Sequence, residues 1–317
     1  MKRIFSLILI CVFFALSLCG CAAPKREDGI QIVVTLFPPY DWVREIVGDV
    51  EGVTVTLLEE NGVDVHSYQP TVDDMVRISS CDLFIGVGGE SDRWITDALK
   101  GGNPDRTEML LLPLLGDNAK EEELVEGMEG EEDEEEDETE YDEHVWLSLQ
   151  NAVFYCRKMA DALCEIDGEH APDYRANAEA YIAKLMLLDQ QYRETTDHAA
   201  RKTVLFGDRF PFRYLVDDYG LTYYAAFVGC SSESAASFET VIFLANKVDE
   251  LSLPCVLALE GTNHLLAQTI IDTAHSDGVS LLVMDSMQSV TSEARKAGKT
   301  YLSVMEDNLA VLSTALK

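Results

Sequence analysis

Two histidines and two aspartates stand where a folded chain could gather them around a divalent cation. His66 opens the segment His-Ser-Tyr-Gln-Pro-Thr (residues 66–71), and His144 ends a long acidic run. Asp208 and Asp285 each follow an apolar run that is typical of a strand. Two imidazoles and two carboxylates can neutralise such a cation and fill four coordination positions. Each residue alone has an ordinary alternative, as a loop histidine or a capping aspartate, so the predicted metal site depends on the four together.

The elements that must position these residues alternate between strands and helices. Apolar β-branched runs predict strands at residues 32–37, 53–58, 82–87, 109–115, 203–206, 222–227, 255–259 and 280–284. Helical spacing of apolar residues predicts helices at residues 40–47, 149–163, 210–219, 237–251, 263–274 and 301–316. This alternation is typical of parallel βα units, in which ligands bind beyond the carboxyl ends of the strands.

A longer helical pattern, at residues 172–196, separates the two sets of strands. Pro172 and Asp173 at its start fit the signals for a helix N-terminus. We therefore predict an α/β fold of two lobes, each a mainly parallel four-stranded sheet flanked by helices, joined by this long spine helix. The predicted division is an N-terminal lobe at 30–167, a linking helix at 168–198 and a C-terminal lobe at 199–317, with a ligand cleft between the lobes.

Acidic residues dominate the charge of the chain. Its 317 residues hold 57 Asp and Glu against 24 Lys and Arg, a formal net charge of −33. Residues 117–143 contain 17 of the acidic side chains and one base, Lys120, so we predict a solvated loop that cannot form a packed core. The loop could concentrate cations near His144 or could serve only solubility. The overall charge argues against nucleic-acid binding.

The N-terminus has the pattern of a secretory signal. Basic Lys2 and Arg3 precede an apolar run that ends in Leu18-Cys19-Gly20-Cys21, which resembles a bacterial lipobox. We predict a signal peptide at residues 1–20, lipid attachment at Cys21 and a linker at 21–29, which would tether an extracytoplasmic domain to the bacterial cell membrane.

Five further cysteines show neither a disulfide framework nor the paired spacing of a thiolate zinc site. We interpret most of them as small buried residues. They are Cys81, Cys156, Cys164, Cys230 and Cys255.

Several segments resemble the cluster A-I metal-binding lipoproteins of ABC transporters, the substrate-binding protein family 9. Residues 66–71 resemble the family's first histidine motif, with Gln69 where glutamate is usual. Residues 142–147, Asp-Glu-His-Val-Trp-Leu, are similar to its second motif, with Glu143 replacing a proline. Tyr219-Gly220-Leu221, Leu259-Glu260-Gly261 and Met284-Asp285-Ser286 resemble later landmarks. The resemblance implies a monomeric receptor, not an enzyme, that captures zinc or manganese between two lobes and delivers it to an ABC permease.

The family's third ligand position has two candidates in this chain. Alignment without gaps places Arg209 at the family's third ligand position, and a guanidinium cannot bind a metal. One inserted residue places Asp208 there instead, whereas Asp285 stands at the fourth position. The predicted ligands are therefore His66, His144, Asp208 and Asp285, with Glu260 and His264 as supporting or substitute groups. This set fits zinc, manganese or ferrous iron.

Two rival functions use the same architecture. A metal-dependent hydrolase would employ Glu260 as the base for a metal-bound water, although the sequence lacks the common hydrolase motifs. An adhesin-type or non-metal receptor would not be stabilised by metal.

Overall fold

The computed structural model of the protein describes residues 29–59, 62, 64–130, 140–231 and 236–317. The predicted signal peptide, Cys21 and the linker up to residue 28 lie outside this part of the chain. Within it, no helix combines the length and apolar character needed to cross a bilayer.

The N-terminal lobe is built on a parallel sheet with the strand order β2-β1-β3-β4. Its strands are β1 (Ile30–Val34), β2 (Val53–Leu57), β3 (Leu83–Gly86) and β4 (Thr107–Leu110). Its helices are α1 (Phe37–Val47), α2 (Val72–Ser80), α3 (Trp94–Ala98), α4 (Leu111–Leu115) and α5 (Leu149–Ile166). The central strand β3 is buried along its whole length, as expected for a sheet covered on both faces.

The C-terminal lobe has a second parallel sheet with the order β6-β5-β7-β8. Its strands are β5 (Thr203–Phe210), β6 (Thr222–Val228), β7 (Cys255–Leu259) and β8 (Ser280–Met284). Its helices are α7 (Arg213–Asp218), α8 (Phe238–Leu251), α9 (Leu265–Thr273), α10 (Ser292–Lys296) and α11 (Tyr301–Ala315). These two four-stranded sheets confirm the predicted α/β class.

Several predicted elements have other bounds in the structure, among them the fourth and fifth strands. Residues 111–115 form α4 rather than the end of a strand, because Pro113 has no N–H for a sheet and Gly116, at φ 52°, ends the helix. Strand β5 continues past residue 206 to Phe210, with a bulge in its pairing to β6. Asp208 therefore lies within β5 at this irregularity and not in a loop after it.

The long helix α6 (Ala171–Asp197) joins the lobes and spans about 40 Å. On the N-terminal side Asn177 donates a hydrogen bond to the carbonyl of Ile46 in α1, at 3.1 Å. On the C-terminal side the Tyr192 hydroxyl donates to the carbonyl of Met305 in α11, at 2.6 Å. The division of the chain into lobes stays a prediction, and these contacts agree with a spine that is packed against both.

The described part of the acidic segment, residues 117–130 and 140–143, packs against the C-terminal lobe. Met128 is buried, and the N–H of Glu129 donates to the carbonyl of Ala226 in β6, at 2.9 Å. The Glu129 carboxylate accepts hydrogen bonds from the N–H of Ser237 and the hydroxyl of Thr240, at the start of α8. The expectation of a wholly solvated loop is therefore wrong for these residues, because one methionine and several directed hydrogen bonds anchor them.

Candidate metal centre

His66 is fixed by a short turn that follows β2. The Asp64 carboxylate accepts the His66 N–H at 3.0 Å and so caps the 3₁₀ turn Val65–Ser67. The ring atom Nδ1 of His66 lies 2.6 Å from the Ser91 hydroxyl. This contact orients the ring and leaves Nε2 facing the space between the lobes.

His144 is held more tightly, at the start of a second 3₁₀ turn (Val145–Leu147), and is fully buried. The Asp142 carboxylate accepts the His144 N–H at 2.8 Å and lies 3.1 Å from ring Nδ1. Trp146 anchors the same turn, because its indole donates to the Ser286 carbonyl at 2.9 Å. A carboxylate on Nδ1 with Nε2 free is the usual arrangement of a metal-binding histidine.

The two free Nε2 atoms point at one place. They lie 3.3 Å apart, and the side-chain nitrogen of Gln288 lies 2.8 Å from His66 Nε2 and 2.7 Å from His144 Nε2. An amide NH₂ can donate to both rings only where each Nε2 carries a lone pair. Two nitrogens bound to tetrahedral zinc at about 2.0–2.1 Å would stand roughly 3.3–3.4 Å apart. The histidine pair thus already has the spacing that a shared metal ion requires.

A thiol completes this cluster. His66, His144 and Cys230 each have a ligand atom within 4.8 Å of the others. Cys230 follows β6 in a loop that runs directly against His144, and a Cβ on Gly229 would lie 2.9 Å from Cε1 of that ring. Glycine is therefore required for this approach.

Burial and neighbouring charges set the protonation of the centre. Burial and the adjacent His144 lower the pKa of His66 to about 3, which keeps it neutral and ready to bind a cation. Burial alone would lower the pKa of His144, but the Asp142 carboxylate outweighs it and raises that pKa. Burial raises the pKa of Cys230 well above its ordinary value, and burial with the charge of Asp142 raises the pKa of Glu122 to about 7. The centre can therefore compensate a divalent cation by losing protons.

The two predicted aspartate ligands lie outside the His66–His144–Cys230 cluster. The Asp208 carboxylate accepts the N–H of Leu259 at 3.3 Å and the hydroxyl of Thr262 at 3.0 Å. The Asp285 carboxylate is paired with the Lys299 ammonium and accepts the N–H of Met287 at 2.9 Å. Their role as ligands stays a prediction, and it requires each carboxylate to leave these partners.

The two supporting residues named from the sequence have different surroundings. The Glu260 carboxylate accepts from the N–H of Ser286 at 2.8 Å and its hydroxyl at 2.7 Å, and the same hydroxyl lies 2.9 Å from the Gln288 side-chain oxygen. Glu260 therefore reaches the histidines only through Ser286 and Gln288. His264 bonds Thr262 at 2.9 Å and lines the cleft, away from the cluster.

Arg209, at the gapless third ligand position, spans the cleft between the lobes. Its guanidinium donates to the Asp64 carboxylate at 2.9 Å and to the Ser231 carbonyl at 3.3 Å. Beside it lies a cavity of about 450 Å³ that is lined from both lobes and reaches His66. Arg209 thus connects the loop of His66 to the loop of Cys230.

Sequence reasoning missed Cys230 and Gln288. Both stand a few residues beyond the carboxyl end of a predicted strand, at residues 227 and 284, where ligands of parallel sheets gather. A position just beyond a strand end is a usable sign of a ligand-binding residue. It applies to many loop residues, however, and does not show where a side chain points.

Two α/β lobes joined by one long helix, with a buried polar centre between the sheets, define a bilobal ligand-binding protein. Residues 32–315 match the family described as ZnuA, zinc-uptake complex component A periplasmic, and the chain belongs to this family. Members of this family are components of uptake complexes and are not enzymes.

Individual relatives agree with this assignment. The chain is 31% identical over 313 residues to the zinc-binding lipoprotein AdcA of Streptococcus pneumoniae, covering 96% of this chain and 60% of AdcA. It is 27% identical to the high-affinity zinc uptake system protein ZnuA of Bacillus subtilis, covering 98% of this chain and 96% of that protein. The crystal structure of the Zn(II)-bound ZnuA-like domain of S. pneumoniae AdcA matches with a TM-score of 0.72 at 28% identity, covering 91% of this chain and 99% of the domain. The chain thus spans about three fifths of the length of AdcA.

Proposed function

We propose that this protein captures zinc outside the cytoplasm and delivers it to an ABC permease. The observation that carries the proposal is the pair of inward-facing Nε2 atoms 3.3 Å apart, oriented by Ser91 and Asp142. Such a pair binds a transition metal through neutral nitrogens. The zinc-binding names of the AdcA and ZnuA relatives support zinc as the cargo.

The membership in an uptake-complex family supports a permease as the partner and a location outside the cytoplasm. The Leu-Cys-Gly-Cys segment that ends at Cys21, together with the lipoprotein name of AdcA, supports a lipid anchor there. Manganese is the competing cargo, and the ligand set decides between the two metals.

The double variant His66→Ala with His144→Ala tests the proposal. We expect the wild-type domain, purified without residues 1–21, to bind one zinc per chain, and the double variant to bind none. Isothermal calorimetry and metal analysis after gel filtration measure this directly. Zinc should also raise the melting temperature of the wild type alone, because a ligand that binds only the folded state stabilises it by mass action.

The matched control is His198→Ala with His275→Ala, which removes two exposed histidines outside the His66–His144–Cys230 cluster. This control should bind zinc as the wild type does. Unchanged zinc binding in the His66/His144 variant, or loss of binding in the control, would contradict the proposal.

A further inference from the structure

The histidine pair supplies only half of a tetrahedral site, and the structure offers a third ligand of a different chemical kind. The Cys230 sulfur belongs to the same group of ligand atoms, all within 4.8 Å of one another. In tetrahedral zinc sites with Zn–S about 2.3 Å and Zn–N about 2.0–2.1 Å, sulfur and nitrogen stand roughly 3.5 Å apart. The ligand atoms of the cluster stand at most roughly 1.3 Å further apart than this, so a modest closing of the three side chains brings the thiol to binding distance.

The loop that carries Cys230 is held in place by both lobes. Arg209 binds the carbonyl of the next residue, Ser231, and the Asp64 carboxylate that caps the His66 turn. The N–H of Cys230 points at the Glu122 carboxylate, at 3.4 Å. Gly229 lets this backbone lie against the His144 ring, as described above. Arg209 thus ties the loop of the thiol to the turn that carries His66, and Gly229 brings the loop against the His144 ring.

The carboxylates that could serve instead are bound elsewhere. Asp208 is held by Leu259 N–H and Thr262, and Asp285 by Lys299 and Met287 N–H. Recruiting either one requires breaking at least two polar contacts. Recruiting Cys230 requires its side chain to move by up to roughly 1.3 Å and to give up one thiol hydrogen bond, to the Glu122 carboxylate, with the proton that a bound thiolate loses in any case.

We propose that Cys230 is the third protein ligand, so that the cargo is held by two imidazoles and one thiolate. This inference rests on the proposed zinc-capture function and deepens it. A thiolate ligand favours zinc and other thiophilic ions, whereas manganese prefers carboxylate and other oxygen ligands. Cys230 thereby makes the centre selective for zinc over manganese.

Cobalt(II) replaces zinc as a spectroscopic probe, because a cobalt–thiolate bond gives an intense charge-transfer band in the near ultraviolet. The experiment compares wild type, Cys230→Ser and Cys164→Ser, kept reduced with a phosphine that contains no thiol. Cys164 is a half-buried free thiol at the end of α5 and is the matched control. We expect the band in the wild type and in Cys164→Ser, and its absence in Cys230→Ser.

Affinity measured by competition with a chelator provides the second readout. Cys230→Ser should weaken zinc binding by at least ~100-fold, beyond the 10–100-fold typical of losing a partner that only orients a ligand, while manganese binding changes little. Folding is checked by circular dichroism, and residual metal binding through His66 and His144 shows that the variant is intact.

Three outcomes overturn the inference. They are a wild type that binds cobalt without the band, a Cys230→Ser variant with full zinc affinity, and an Asp208→Asn or Asp285→Asn variant that loses zinc while Cys230→Ser keeps it. Each of these leaves zinc capture by His66 and His144 standing. Failure of the wild type to bind any zinc would instead reject the proposed function itself.

Discussion

The side-chain NH₂ of Gln288 lies between the Nε2 atoms of His66 and His144. A donor 2.7–2.8 Å from two lone pairs imitates a bound cation, so a metal must displace this group or turn the amide oxygen towards itself. Displacing an amide that makes two hydrogen bonds opposes metal binding. We therefore expect Gln288, in this orientation of its amide, to weaken metal binding by the proposed histidine pair.

Replacement of Gln288 by glutamate should reverse this effect. Gln288→Glu substitutes an anionic oxygen ligand for the donor, and we expect zinc to bind about tenfold more tightly, which corresponds to about 1.4 kcal/mol. Manganese should gain more than zinc, because a carboxylate suits the harder ion. Chelator competition with both metals measures the change. Gln150→Glu, which adds the same charge at an exposed glutamine, is the control. Equal affinities for these two variants would show that position 288 does not face the metal.

Residue chemistry and motif spacing predicted the two histidines but not their neighbours. His66 and His144 each begin or end a recognisable segment, and the structure brings their rings into contact. Asp208 is predicted from a strand that ends at residue 206 and from one inserted residue in the family resemblance, whereas β5 runs on to Phe210 and the Asp208 carboxylate accepts the N–H of Leu259 in β7. Cys230 and Gln288 carry no motif, and their side-chain directions depend on Gly229 and on Ser286. Periodicity fixes which residues form a strand but not how a loop beyond it folds.

Residues 117–130 form a strap between the two lobes. They leave α4 of the N-terminal lobe and reach β6 and α8 of the C-terminal lobe, where Gly127 lies against Phe243. Composition predicted a solvated acidic loop and could not show that the Glu129 carboxylate would accept hydrogen bonds from Ser237 and Thr240. Burial opposes the charged form of Glu129, yet hydrogen bonds from Thr240 and Ser237 hold its pKa below its usual range. The charged carboxylate therefore stabilises the docked strap.

Removal of the Glu129 carboxylate should destabilise the protein measurably. Glu129→Ala is expected to lower the free energy of unfolding by about 1 kcal/mol at pH 7, a loss similar to that of an acceptor at a helix N-terminus. Because the folded-state pKa is lowered, this contribution is present above the usual pKa of 4.5 and is lost as the pH falls below it. Urea denaturation at pH 7 and pH 4 measures both effects. Glu126→Ala, in the same strap but exposed, should change little. A Glu129→Ala variant as stable as Glu126→Ala would argue against docking in solution.

Contacts of α11 with the N-terminal lobe also connect the two lobes. Asp41 in α1 accepts the N–H of Tyr301 at the start of α11, at 2.9 Å. The Tyr301 hydroxyl in turn donates to the carbonyl of Trp146, beside His144, at 2.7 Å. The backbone of the metal centre is thereby anchored to the same helix that closes the C-terminal lobe. The alternation of strands and helices predicted the two sheets and the spine helix. Hydrogen bonds between residues distant in the chain, such as these, produce no periodic pattern in the sequence.

Asp41 makes the stability of this assembly depend on pH. Burial raises its pKa to about 6 from 3.8, so the folded state holds a proton that the unfolded state releases, and stability is lost as the pH rises from about 4 through 6. Asp41→Asn cannot ionise but keeps an oxygen for the Tyr301 N–H. We expect it to match the wild type closely at pH 4 and to exceed it by up to about 3 kcal/mol at pH 7.5 in urea denaturation. Asp49→Asn, an exposed change of the same kind, should follow the wild type at both pH values. An Asp41→Asn variant that is no more stable than the wild type at pH 7.5 would show that Asp41 is solvated in solution. The buried hydrogen bond between Asp41 and Tyr301 would then not form.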